Sequence, residues 1–94
     1  MAKYIVLSNI TDEGAKTLRK KPQRVNAVNE ELEKMGVKVL EQYAVLGEFD
    51  FLNIVEAPDN ATIAKAMVEL SCRGSIHTRT MPIIPMDEFL KSFG

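Results

Sequence analysis

The stretch Val37–Glu56 constrains this chain more than any other. Val37, Val39, Leu40, Tyr43 and Val45 lead into Leu46-Gly47-Glu48-Phe49-Asp50, and Phe51, Leu52, Ile54 and Val55 lead away from it. β-branched and aromatic residues on both sides of a glycine-containing reversal predict a β-hairpin. Both arms carry apolar residues at alternate positions of either parity. A sheet with one wet face alternates apolar with polar, so a sheet built from these arms is expected to be covered on both faces.

The flanking elements follow from periodicity and caps. Lys3–Asn9 reads as a strand whose central residues are apolar throughout, as in a strand buried on both faces. Thr11 offers an N-cap and Asp12 and Glu13 suit a first turn, predicting a short helix over Asp12–Lys20. Only Ala15 and Leu18 give it an apolar side, and Gly14 weakens it. Pro22 suits the start of a second helix, on which Val25, Val28, Leu32 and Met35 share one face before Gly36 ends it. The hairpin strands span Val37–Leu46 and Phe49–Glu56. Asp59 is an N-cap for a helix over Asn60–Arg73, with Ile63, Ala64, Met67, Leu70 and Ser71 facing the core and Gly74 closing it. Ser75–Ile84 reads as the last strand, stopped or confined to a sheet edge by Pro82 and Pro85. Met86, Phe89, Leu90 and Phe93 recur at helical spacing, predicting a C-terminal helix that packs back onto the body.

This order predicts an α+β, ferredoxin-like βαββαβ domain: a four-stranded antiparallel sheet, an extra short helix after the first strand, and a helical tail. Two crossover helices cover one sheet face. No remaining element is large enough for the other, so a second copy is the expected cover, giving a homodimer or higher homo-oligomer of the dimeric α+β barrel kind.

Composition limits the function classes. The 94 residues suffice for one domain, 1–94, and 46% hydrophobic with 27% charged residues is the balance of a globular protein. A formal net charge of -1 lacks the basic footprint of a nucleic-acid binder. Cys72 is the only cysteine, and no signal peptide opens the sequence, so the expected compartment is the cytoplasm. No apolar run approaches bilayer length, so no membrane partner is expected.

The chain resembles the GYD-domain family of small bacterial and archaeal proteins. The resemblance runs through Lys3-Tyr4-Ile5-Val6-Leu7, Thr11-Asp12-Glu13-Gly14, Pro22-Gln23-Arg24-Val25, Leu46-Gly47-Glu48-Phe49-Asp50, Val55-Glu56-Ala57-Pro58-Asp59 and Gly74-Ser75-Ile76-His77-Thr78. The family's naming motif has tyrosine before the aspartate; here that position is Phe49, so no phenol hydroxyl acts there. The resemblance implies a ferredoxin-like fold of the dimeric α+β barrel kind and no particular activity. Other dimeric α+β barrels include cofactor-free monooxygenases, haem enzymes and sensor domains, an analogy of fold alone.

Several residue groups are candidates for a site, each beside a structural alternative. Glu48 and Asp50 could serve as acid and base or hold a cation, or could merely build the turn around Gly47 and Phe49. His77 and Arg79 share a face of the last strand and suit a carboxylate ligand or acid–base work; an exposed edge strand is the alternative. Tyr4, Ser8, Tyr43 and Asn53 interrupt apolar strands and either converge on a small-molecule pocket or bond to one another. Lys20, Lys21 and Arg24, with Lys16 and Arg19 nearby, form a candidate anion site at a helix start, or a solvated basic corner. Cys72 reads as structural. There is no metal-ligand cluster, phosphate loop or nucleophile elbow, so neither a metal nor a cofactor is expected. The leading expectation is a homodimeric domain that binds a small molecule or anion in the inter-sheet or sheet–helix cavity. The alternatives are a cofactor-independent monooxygenase or isomerase, and a purely structural oligomerisation module.

Overall fold

A computed structural model describes all 94 residues. The elements are β1 (Ala2–Ile10), α1 (Asp12–Lys20), α2 (Arg24–Lys34), β2 (Lys38–Ala44), β3 (Phe51–Ala57), α3 (Asn60–Ser71), β4 (Ile76–Ile83) and α4 (Met86–Lys91). The strands form one antiparallel sheet in the order β2-β3-β1-β4, the ferredoxin-like arrangement. Pro82 sits within β4, where it is tolerated because β4 is an edge strand.

The caps are where the sequence places them. Thr11 Oγ1 accepts from Gly14 N at 3.1 Å, and Asp59 Oδ1 accepts from Thr62 N at 2.8 Å. Gly36 ends α2 at φ 91°, the left-handed geometry that a C-terminal glycine supplies. Pro22 and Gln23 form a turn ahead of α2 rather than its first residues.

The core lies between the sheet and the helices. Tyr4, Val6, Val55 and Ala57 from the sheet pack with Leu32 of α2 and Ile63, Ala66, Met67 and Leu70 of α3. Ala66, not Ala64, completes the buried stripe of α3, and Ala64 is exposed. Gly14 is buried where α1 crosses the loop before β4, and this close approach explains a glycine inside a helix.

Within the single chain β2 is largely exposed, because it forms the other edge of the sheet. One expectation is corrected. The tail helix does not pack back onto the body: Met86, Phe89, Leu90 and Phe93 are all exposed, Phe93 by 77%. Helical periodicity marks an apolar side without saying what meets it. The Cα radius of gyration, 14.2 Å, exceeds the ~13 Å typical of a 100-residue globule, as a projecting tail requires.

Candidate functional site

Strand register sorts the candidate residues onto two surfaces. On the helix side of β1 lie Tyr4, Val6 and Ser8; on the other lie Lys3, Ile5, Leu7 and Asn9. Val6 pairs with Asn53 on β3 and Thr80 on β4, while Ser8 pairs with Phe51 and Thr78. Ser8, Asn53, Thr78 and Thr80 therefore form a polar group on the helix side, amid apolar residues. Ser8 is 1% exposed, and Ser8 Oγ, Asn53 Oδ1 and Thr80 Oγ1 are buried with no hydrogen-bond partner in the protein.

Above this group the helices do not close onto the sheet. A cavity of about 360 Å³ lies between them, at the lower end of the ~300–1,000 Å³ usual for small-molecule sites. Its floor includes Val6, Ser8, Phe51 and Asn53; Val25 and Val28 of α2 and Leu70 of α3 lie opposite. Where α2 meets α3, Glu31 accepts from Arg73 in a close ion pair and lies 3.6 Å from Arg24. The Arg73 hydrogen bond holds the Glu31 carboxyl below its ordinary range. At the edge of the sheet, Asn29 and Gln42 exchange hydrogen bonds of 2.9 and 3.2 Å. A register shift at Leu40, between Val39 and Glu41, turns Gln42 toward α2.

The helix-free surface has a different character. Across the sheet, one row runs Glu41, Ile54, Ile5, Met81 and the next Tyr43, Leu52, Leu7, Arg79. A row of alternating charge, Lys38, Glu56, Lys3, borders them. Ile5, Leu7, Leu52 and Ile54 are each only half-buried, and nothing in the chain covers them. Tyr43 is 52% exposed and donates to Glu41 Oε2 at 2.6 Å, a bond to a carboxylate that raises the phenol pKa.

The sequence candidates are thus dispersed. Tyr4 is buried and donates to Asn60 Oδ1 at 2.6 Å, tying β1 to the start of α3. Asn53 is at the cavity floor; Tyr43 also contributes to the cavity lining, although its register puts it in the helix-free row, where His77 and Arg79 also lie. Asp50 is occupied in the turn: its Oδ2 accepts from Ile10 N at 2.9 Å, and its N–H donates to Ser8 O at 2.9 Å. The exposed Glu48 contributes its backbone carbonyl, which accepts from Asn9 Nδ2 at 2.7 Å. Phe49 lies under the Arg79 guanidinium, 5.9 Å from ring centroid to Cζ. Lys20 and Lys21 are exposed, while Arg24 turns to Glu31. Cys72 is exposed, with Sγ donating to Glu69 O. No group of three or more His, Cys, Asp and Glu could hold a metal ion.

Against this geometry, the pattern of the GYD domain matches residues 4–92. The chain belongs to the GYD-domain family. It is 53% identical over 91 residues to the "Glutamine synthetase and cystathionine beta-lyase binding protein" of Thermus thermophilus, a match covering 96% of each protein. Among solved structures it superposes on MtbAldR with a TM-score of 0.67 at 18% identity, over 89% of this chain and 52% of that one. The GYD chain thus spans about half the length of that protein, and the likeness is one of fold. It also matches FFRP-DM1 with a TM-score of 0.60 at 26% identity, over 89% of this chain and 100% of that one. No helix of this GYD protein is long and apolar enough to cross a membrane.

Proposed function

We propose that this protein is a binding partner of metabolic enzymes, acting as a homodimer joined through the helix-free faces of its sheets. The observation that carries the first half is the 53% identity, over 96% of both chains, to a protein named for binding glutamine synthetase and cystathionine beta-lyase. The homodimer is supported by the uncovered rows around Ile5, Leu7, Leu52 and Ile54, bordered by charges of both signs that a two-fold partner can meet. The exposed apolar residues of α4 supply a further contact surface. An enzymatic role finds no support in the placement of Tyr43, Asp50, His77 and Arg79, which share no enclosed space. Surface plasmon resonance with purified glutamine synthetase and cystathionine beta-lyase from the same source tests the reading. Saturable binding to either enzyme is expected, and the absence of binding to both excludes it.

A second reading, small-molecule binding in the sheet–helix cavity, is favoured by a specific observation. The cavity, of about 360 Å³, has a mostly apolar lining between the sheet and the helices, the size and character of a small-molecule site.

A further inference from the structure

We infer that the helix-free face selects a second copy of this chain by one reciprocal contact: Arg79 on the β4 edge of each copy meets Glu41 and Tyr43 on the β2 edge of the other. This inference rests on the homodimer proposed above and assigns the residues that make it specific.

The two halves of the contact are already shaped within one chain. On β2, Tyr43 donates to Glu41 Oε2 at 2.6 Å, so the phenol holds the carboxylate at the sheet edge. On β4, the Arg79 guanidinium lies over the Phe49 ring, 5.9 Å from its centroid. Glu41, Tyr43 and Arg79 are all exposed. Both ion pairs within the chain go to Glu31, so neither Glu41 nor Arg79 has a charge partner. They cannot serve each other, because β2 and β4 are opposite edges of the sheet, three strand spacings or about 14 Å apart.

A two-fold axis brings them together. Sheets that stack in the aligned way keep their strands within about 30° of one another, so the axis between two copies runs either along the strands or across them. An axis across the strands lays β2 on β2 and β4 on β4, and brings Glu41 toward Glu41 and Arg79 toward Arg79. An axis along the strands lays the β2 edge of each copy on the β4 edge of the other. Tyr43 and Arg79 belong to one row of the register and Glu41 to the next, so this axis sets Arg79 over the ring of Tyr43 and beside Glu41. It also stacks Leu52 on Leu7, Ile54 on Ile5 and Glu56 on Lys3 of the other copy, apolar on apolar and acid on base. The contact occurs twice, once on each side of the apolar centre. Charge pairs at such a rim decide which partner is accepted more than how tightly it is held.

Charge reversal tests the contact. Sedimentation velocity and native mass spectrometry compare the parent with Glu41→Arg and Arg79→Glu, with circular dichroism checking each fold. In either variant alone like charges meet at both junctions, so its dimer dissociation constant should rise by about a hundredfold or more. Mixed in equal amounts, the two variants place opposite charges at both junctions, and a heterodimer with an affinity close to the parent's is expected. If either variant fails to fold, Glu41→Lys or Arg79→Asp takes its place. Variants that each dimerise as the parent does overturn the contact but leave the homodimer standing, as does a mixture of monomeric variants that stays monomeric. A parent that is itself monomeric overturns both.

Discussion

Gly14 and Ser75 touch backbone to backbone: a Cβ added to Gly14 would lie 2.2 Å from the Ser75 carbonyl oxygen. The contact is reinforced beside it, where Thr11 N donates to Ser75 O at 3.0 Å and Thr11 Oγ1 donates to Gly74 O at 2.8 Å. In an exposed helix, glycine to alanine is normally stabilising by up to ~1 kcal/mol. Here the sign reverses. Gly14→Ala is expected to destabilise by about 1–3 kcal/mol, the usual range for overpacking, as read from urea unfolding midpoints. Unchanged or increased stability would show that the β4 loop yields freely.

Ser8 carries the opposite expectation. Its hydroxyl is buried without a partner in the protein, so Ser8→Ala removes an unsatisfied group at little cost in packing. The variant should be more stable than the parent by about 1 kcal/mol. Thermal melts check the effect, and destabilisation would mean that the hydroxyl has a partner in solution.

The junction of α2 and α3 sets an acid dependence. Glu31 has an ordinary value of 4.5, which the Arg73 hydrogen bond lowers in the folded protein. A depressed folded pKa contributes stability that is fully present above 4.5 and is lost as pH falls through the folded value. Glu31→Gln should therefore lower the stability above that point and flatten the loss of stability below it. Urea midpoints measured across that range for both proteins give the comparison, and identical slopes would count against the ion pair.

Leu52 lies between Leu7 and Tyr43 on the helix-free face. A charge there opposes burial against a second copy but leaves the helix-side core untouched. The parent is expected to sediment as a dimer and Leu52→Glu as a folded monomer. A parent that remains monomeric removes the assembly.

The tail makes a fifth test. Met86, Phe89, Leu90 and Phe93 are exposed, and Phe89 and Phe93 stack edge to face on each other, with centroids 5.3 Å apart, rather than on the body. Ending the chain after Ile84 should change the unfolding free energy of the isolated fold by no more than about 0.5 kcal/mol, the range for surface changes. It should weaken binding to the partner enzymes. A large loss of stability in dilute, monomeric protein would show that α4 docks on its own body.

The order of elements, the caps at Thr11 and Asp59 and the C-terminal glycine at Gly36 were all determined by the sequence alone. Each depends on interactions within a few residues, and local periodicity reports these directly. The doubly apolar strands likewise marked a sheet with one face left over. Only the tertiary structure decided which polar residues meet. Gln42 turns toward Asn29 of α2, and Tyr43 toward the helix-free row, because one register shift at Leu40 sets the parity of β2, and such a slip moves every side chain beyond it to the other face. The same holds for the space over Ser8 and the pairing of Glu31 with Arg73. Both arise from helices that approach across long stretches of chain, where packing rather than periodicity fixes the distance.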